Sequence, residues 1–225
     1  MSGDTGASTS RPADAAQPAS DRVRLRRKSG RGRYDRDTID AVLDASVIGY
    51  VAWVIDGQPY ATPTNVWRRG DRLYWHASAG SRLVRGVDGQ PVCVTVSLLD
   101  GLVLARSATN HSVNFRSVMV LGTANVLTEP AEVEAALEGL IEALYPGRWA
   151  QLRPMTENER KATSVMWVDL SEASAKVRDE GAHDDPGDET WPTWAGVVPV
   201  RQVRGEPEPD EYVTGDVAAP AVRLP

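Results

Sequence analysis

Three groups of side chains in this 225-residue sequence are of types that do chemistry. Gly80-Ser81-Arg82 sets a permissive glycine beside a hydroxyl and a guanidinium, a combination that suits a phosphate when helix amides also point at it. The alternative is a solvated arginine next to a helix-capping serine. His76, just upstream, titrates near neutral pH and is the candidate proton donor or cofactor contact. Between two apolar runs, the chain then gathers Arg106, Ser107, Asn110, His111, Ser112, Asn114, Arg116 and Ser117. A two-sided strand pair does not need so many hydrogen-bonding side chains in one corner, so this corner is read as holding something polar.

Other chemistries are disfavoured. His76 and His111 have no cysteine or carboxylate at ligand spacing, which leaves no zinc site and no other metal site. Cys93 lies among valines with no basic neighbour and reads as an inert core thiol. There is no Ser-His-Asp order, no P-loop and no glycine-rich dinucleotide fingerprint. For each histidine a hydrogen-bonded structural role stands beside the chemical one.

The elements that position these groups are mostly strands. An acidic start followed by Ile39, Val42 and Leu43 on one face predicts a short helix over 35–45. Val47–Ile55 and Tyr60–Trp67 flank Asp56-Gly57, a hairpin signal. Leu73–His76 follows as a strand, then a short helix over 79–87. The runs 92–99 and 102–105 flank Asp100-Gly101, read as a second tight hairpin turn. Residues 112–127 form the longest strand candidate. Helix 129–145 carries the clearest apolar stripe, capped by Thr128, with Pro130 in its first turn and Pro146-Gly147 ending it. A helix over 156–162 and strands over 165–170 and 175–178 complete the body. Hairpin-linked strands with few helices indicate an α+β domain on an antiparallel barrel or sheet, and disfavour a doubly wound nucleotide fold.

Composition, at 41% hydrophobic and 25% charged, is that of a globular protein. No hydrophobic leader or membrane-length apolar run is visible, and a single cysteine suits a reducing compartment, so a cytoplasmic location is expected. Charge is uneven: +5 over residues 1–34, −4 over 35–177 and −7 over 178–225. Residues 1–30 read as a disordered, basic arm, 31–180 as the domain, 181–204 as an extension and 205–225 as a disordered tail. The cation-rich 22–33 segment lacks an aromatic residue for base stacking, so nucleic acid is not the expected partner. In the extension, Trp191 to Pro199 is an apolar island expected to dock on the body or a partner subunit.

The segments YDRDTIDAVLD, DGQPYATPTNVW, LYWHASAGSR, VTVSLLDGLVLARS, HSVNFRSVMVLGTANVL, PGRW, EASAKVR and WAGVVP run in unbroken order over residues 31–202. They resemble the flavin-nucleotide-binding branch of the pyridoxamine 5'-phosphate oxidase-like superfamily, which includes the Nim-type nitroimidazole reductases. The resemblance implies a split β-barrel with a few flanking helices, a homodimer with FMN at the subunit interface, and a flavin-dependent oxidoreductase of small molecules. It places phosphate binding on Ser81 and Arg82 and the ring edge on Thr62, Pro63, Thr64, Asn65 and Val66. Trp75 and His76, at the end of the adjoining strand, and Arg116 and Ser117 are expected as further cofactor contacts. Thr62 and Trp67 stand where pyridoxamine phosphate oxidases keep basic residues, which argues against that reaction. The same fold also holds haem, with His76 or His111 as axial ligand, or a deazaflavin, and it serves non-catalytic flavin binding and redox sensing.

Overall fold

The structure is a computed structural model that describes residues 16–215 and 217–223. The first elements are β1 (Gly32–Arg33), α1 (Arg36–Asp44), β2 (Ile48–Ile55), β3 (Gln58–Arg69), β4 (Arg72–Ser78) and α2 (Arg82–Val87). Then follow β5 (Pro91–Leu104), β6 (Ser112–Thr123), β7 (Asn125–Val126), α3 (Pro130–Leu144), α4 (Glu157–Ala162), β8 (Thr163–Asp169), β9 (Ala173–Arg178) and β10 (Gly196–Pro199). All pairings are antiparallel, in the order β1-β9-β6-β5-β2-β3-β4-β8-β7, with β10 added to β5. The path does not close on itself, so the fold is a split β-barrel of the α+β class.

Local chemistry explains most of these boundaries. Asp35 caps α1 by accepting the Thr38 amide at 2.8 Å, and Ile39, Val42 and Leu43 bury its inner face. Asp56 and Gly57 both have positive φ (50° and 78°), the requirement of a two-residue hairpin turn whose twist matches its strands. A reciprocal capping box between Thr156 and Glu159 starts α4.

Alternation along β2, β5 and β6 turns Val51, Trp53, Val94, Val96, Val118 and Val120 into the barrel, where Leu73, Trp75, Met166 and Val168 meet them. Each fully buried aliphatic side chain contributes about 1.5–3 kcal/mol relative to exposure. A smaller cluster of Trp67, Tyr74 and Val165 packs under Ala136 and Leu140 of α3.

Three expectations are corrected. Asp100-Gly101 is not a hairpin turn: β5 runs through it, and the register with β6 shifts between Leu99 and Gly101, the mark of a bulge. The reversal comes later, between Leu104 and Ser112, and includes a 3-10 turn at Ala108–Asn110. Residues 112–127 are not one strand, because the buried Ala124 gives its amide to Gln90 O at 2.9 Å and the next two residues pair with β8. Thr128 does not cap α3; Glu129 occupies that position without a side-chain cap bond.

The expectation of disorder for residues 1–30 falls partly outside the described residues. From Ala16 onward the arm is a strap whose Val23 is buried at 1% exposure. Ser20 bonds Glu172, and the Leu25 amide donates to Tyr34 Oη at 2.8 Å. Among the described residues no helix is long and apolar enough to cross a membrane.

Candidate functional site

The site arises because β3 has two allegiances. From Gln58 to Asn65 it pairs with β2, and from Val66 to Arg69 it pairs with β4. Beyond Trp75, β4 continues beside β8 alone. The two strands therefore diverge, and among the described residues no strand pairs with the outer edge of β3 over 58–65. Thr64 Oγ1 reaches across to His76 O at 3.3 Å where the divergence starts.

The Val66 amide donates to Val47 O on the β2 side, so strand alternation turns the backbone groups of Asn65, Pro63 and Ala61 toward the open side. Pro63 stands where its missing N–H breaks no ladder bond, as a proline within a sheet requires.

A cavity of about 540 Å³ occupies the divergence. It is lined by Trp53, Tyr60, Thr62, Pro63, Thr64, His76, Ala77, Ser81, Arg82 and Leu83. Trp53 and Tyr60 form its aromatic wall, with stacked rings 5.6 Å apart and 21° between planes. The end wall is α2. Ser81 caps this helix by accepting the Val84 amide, and the exposed Arg82 holds its guanidinium 5.2 Å from the Tyr60 ring. Gly86 lets α2 lie close to β2, since a Cβ there would come within 2.6 Å of Ile55 Cδ1.

His76 is half-buried, its Nδ1 is buried without a hydrogen-bond partner, and the Trp67 ring lies 6.0 Å away. Burial pushes its pKa down, so the imidazole is neutral near pH 7 and keeps a lone pair to accept a proton or bind a metal.

Of the residues singled out from sequence, Thr62, Pro63, Thr64, His76, Ser81 and Arg82 come together here. Asn65 borders the divergence and turns its amide nitrogen toward Val47 O at 3.5 Å. The side chains of Val66 and Trp75 point into the core, at 3% and 0% exposure. Arg116 and Ser117 lie apart on β6. Arg116 grips Asp100 with two bonds of 2.8 and 3.0 Å, and Ser117 bonds Lys176 O at 3.4 Å. His111 is exposed and anchors Ser107 O at 2.9 Å. Burial raises the pKa of the Cys93 thiol, as for an inert cysteine. Sequence reasoning missed Trp53 and Tyr60; their signal was the two-residue alternation facing them across the Asp56-Gly57 hairpin.

The arrangement fits a flat, polar-edged ring with a phosphate-bearing chain. The free β3 edge offers backbone donors and acceptors to the ring rim, and the aromatic wall covers apolar surface. Arg82, without an ion pair among the described residues, offers charge to an anion.

Comparison with known proteins shows the fold and family that this chain shares. The chain is 43% identical to the flavocytochrome Anf3 from Azotobacter vinelandii, covering 93% of this chain and 100% of that one at a TM-score of 0.88. It is 33% identical to an FAD and haem binding protein from Mycobacterium smegmatis, covering 84% and 94% at a TM-score of 0.80. A structure described as a 5-nitroimidazole antibiotic resistance protein from Bacteroides thetaiotaomicron shares the fold at 20% identity, 65% and 86% coverage and a TM-score of 0.55. A search of curated proteins returned no match. The sequence model of pyridoxamine 5'-phosphate oxidase matches residues 35–177, and the chain belongs to that family.

Proposed function

We propose that this chain binds a flavin in the cavity between β3 and β4 and works as an oxidoreductase. The observation that carries this reading is the unpaired β3 edge facing a cavity with an aromatic wall on one side and Ser81-Arg82 at its end. In this reading Arg82 and Ser81 hold the phosphate, and the backbone of Ala61 to Asn65 orients the ring. When bound, the flavin supplies the redox chemistry, and the chain supplies position, charge and shielding from water. The phosphate end serves FMN and FAD alike; the FAD named for the Mycobacterium smegmatis relative favours FAD over FMN.

A second cofactor follows from the same two relatives, whose descriptions name a flavocytochrome and a haem protein. His76 is the candidate axial ligand because it lines the cavity, whereas His111 is exposed on the loop before β6 and is not part of that lining.

The working unit in this reading is a homodimer. Ile48, Tyr50, Val54, Leu99, Leu102, Val113 and Val198 leave an apolar sheet face exposed, as an interface does. Tyr50 is the register partner of Pro63, so this face borders the cavity mouth. Arg116 and Ser117 would then contact the flavin of the other copy.

The test is an absorption spectrum of the purified protein with and without reductant, followed by release and identification of the flavin. A flavin band and a Soret band that both respond to reductant are expected. A colourless protein that takes up neither flavin nor haem would sink the proposal.

A further inference from the structure

The face of β4 that carries His76 continues away from the cavity as a row of aromatic rings. Tyr74 stands two residues back along the strand, and its register partner on β3 is Trp67. The Trp67 and Tyr74 rings stack, 5.8 Å apart with 16° between planes, and the His76 ring lies 6.0 Å from Trp67. His76 lines the cavity and Trp67 does not, so Trp67 stands behind the histidine. Tyr74 in turn lines a groove of about 350 Å³ beside α3, together with Arg69, Arg72 and Glu132. Neighbouring rings thus lead from the cavity wall to a second opening of the protein.

Packing alone does not account for this choice of residues. Trp67 is 3% exposed, and its Nε1 is buried with no hydrogen-bond partner among the described residues. A phenylalanine would fill an apolar site without burying that donor, and an unsatisfied buried donor costs stability. Trp53 and Trp75 carry the same cost, but Trp53 stacks on Tyr60 within the cavity wall and Trp75 is sealed in the barrel. Tyr74 Oη has no protein partner among the described residues and opens to the groove.

We infer that Trp67 and Tyr74 form a one-electron relay between the cavity and this groove. The inference rests on the haem reading above, in which His76 is the axial ligand and Trp67 lies against the ligand's ring. Indole and phenol rings give up single electrons far more readily than aliphatic side chains do. The oxidant is the haem after hydrogen peroxide has acted on it. The peroxide takes two electrons from the haem and two protons from solvent, its O–O bond breaks, and two water molecules leave. One electron returns to the haem from Trp67, Tyr74 refills Trp67, and Tyr74 releases its Oη proton to solvent. The oxidising equivalent then sits at the groove, away from the cofactors, where a one-electron donor in solution can discharge it.

The experiment attaches a thiol-reactive ruthenium photo-oxidant at the groove, on Glu132→Cys in a Cys93→Ser background, in the holoprotein with its haem reduced. A flash with an electron-accepting quencher leaves the label one electron short, and the Soret band reports when the haem supplies that electron, since such a path conducts in either direction. Flash-driven oxidation of the haem is expected in this parent and is expected to be lost in Trp67→Phe and in Tyr74→Phe. Tyr74→Phe removes only Oη and keeps the packing, and oxidation by added ferricyanide should match the parent in both variants. Flash-driven oxidation equal to the parent in both variants, or none in the parent, would overturn the relay. A lower melting temperature in Trp67→Phe with unchanged flash-driven oxidation would show a packing role alone. If no haem is taken up, the haem reading fails, and the flash is applied to the haem-free protein with electron paramagnetic resonance as the readout. A tryptophan radical that is absent in Trp67→Phe and needs Tyr74 sustains the path, and absence of such a radical removes it.

Discussion

Replacing Arg82 with glutamine should weaken flavin binding without unsettling the fold. Arg82 is exposed, and its recorded contact is the Tyr60 ring at 5.2 Å, a distance at which an exposed cation–π pair contributes about 0.5–1 kcal/mol. The Ser81 cap of α2 is untouched by the change. The apoprotein should therefore melt within a few degrees of wild type. A charge-assisted hydrogen bond to a phosphate contributes about 1.5–3 kcal/mol, which corresponds to a roughly 10- to 150-fold rise in Kd. Arg82→Lys keeps the charge without the planar fork and should fall between the two. The assay is titration of apoprotein with flavin, read by quenching of flavin fluorescence, beside a melting curve of each apoprotein. A Kd unchanged in Arg82→Gln would refute the assignment of the phosphate to this end of the cavity. A Kd that changes only together with a large loss of apoprotein stability would show a structural role instead.

Further outcomes follow from other parts of the structure. His76→Ala should abolish the Soret band while leaving bound flavin, and His111→Ala should keep both; the opposite pattern in the spectra would move the haem ligand to the loop. Gly122→Ala should destabilise by about 1–3 kcal/mol, because its Cβ would meet Val168 Cγ2 at 2.5 Å in a packed core. Gly181→Ala, with nothing within 4 Å, should be silent in the same denaturant titration. Glu180 is held down to about 2 from an ordinary 4.5, first by the hydrogen bond from Arg31. A depressed carboxylate stabilises the fold fully above its unfolded value, and that contribution is lost as pH falls from 4.5 toward 2. Melting temperature in Glu180→Gln should thus decline less steeply across that window than in wild type, and parallel curves would contradict the linkage.

Helices were legible in the sequence where a local signal marked them. The acidic start and the Ile39-Val42-Leu43 face mark α1 closely, and the apolar stripe marks α3 although the expected Thr128 cap is absent. Asp56-Gly57 gave its hairpin for the same reason. Asp100-Gly101 has the same composition and forms a bulge instead. What separates the two is the pairing of β5 with β6 and β10 on either side, which links residues far apart in the chain. The site was half legible. Ser81-Arg82 reads as a phosphate pair by residue type and Thr62–Thr64 come only through the family resemblance, but the divergence of β3 from β4 shows in neither. It depends on which partner each half of one strand takes. Val66 and Trp75 sit next to site residues in the chain, yet face the core, because adjacent strand positions point to opposite sides.

That divided strand has a further consequence. A row of unpaired backbone groups at a sheet edge is an invitation to other strands, and native proteins rarely leave one uncovered. If a flat cofactor takes the place of the missing neighbour, it serves as both a reagent and a surrogate strand. Folding stability and resistance to aggregation would then rise and fall with the supply of cofactor in the cell, since a ligand of the native state adds its binding free energy to the fold. Newly made chains would pass through a stage in which colour and solubility are acquired together.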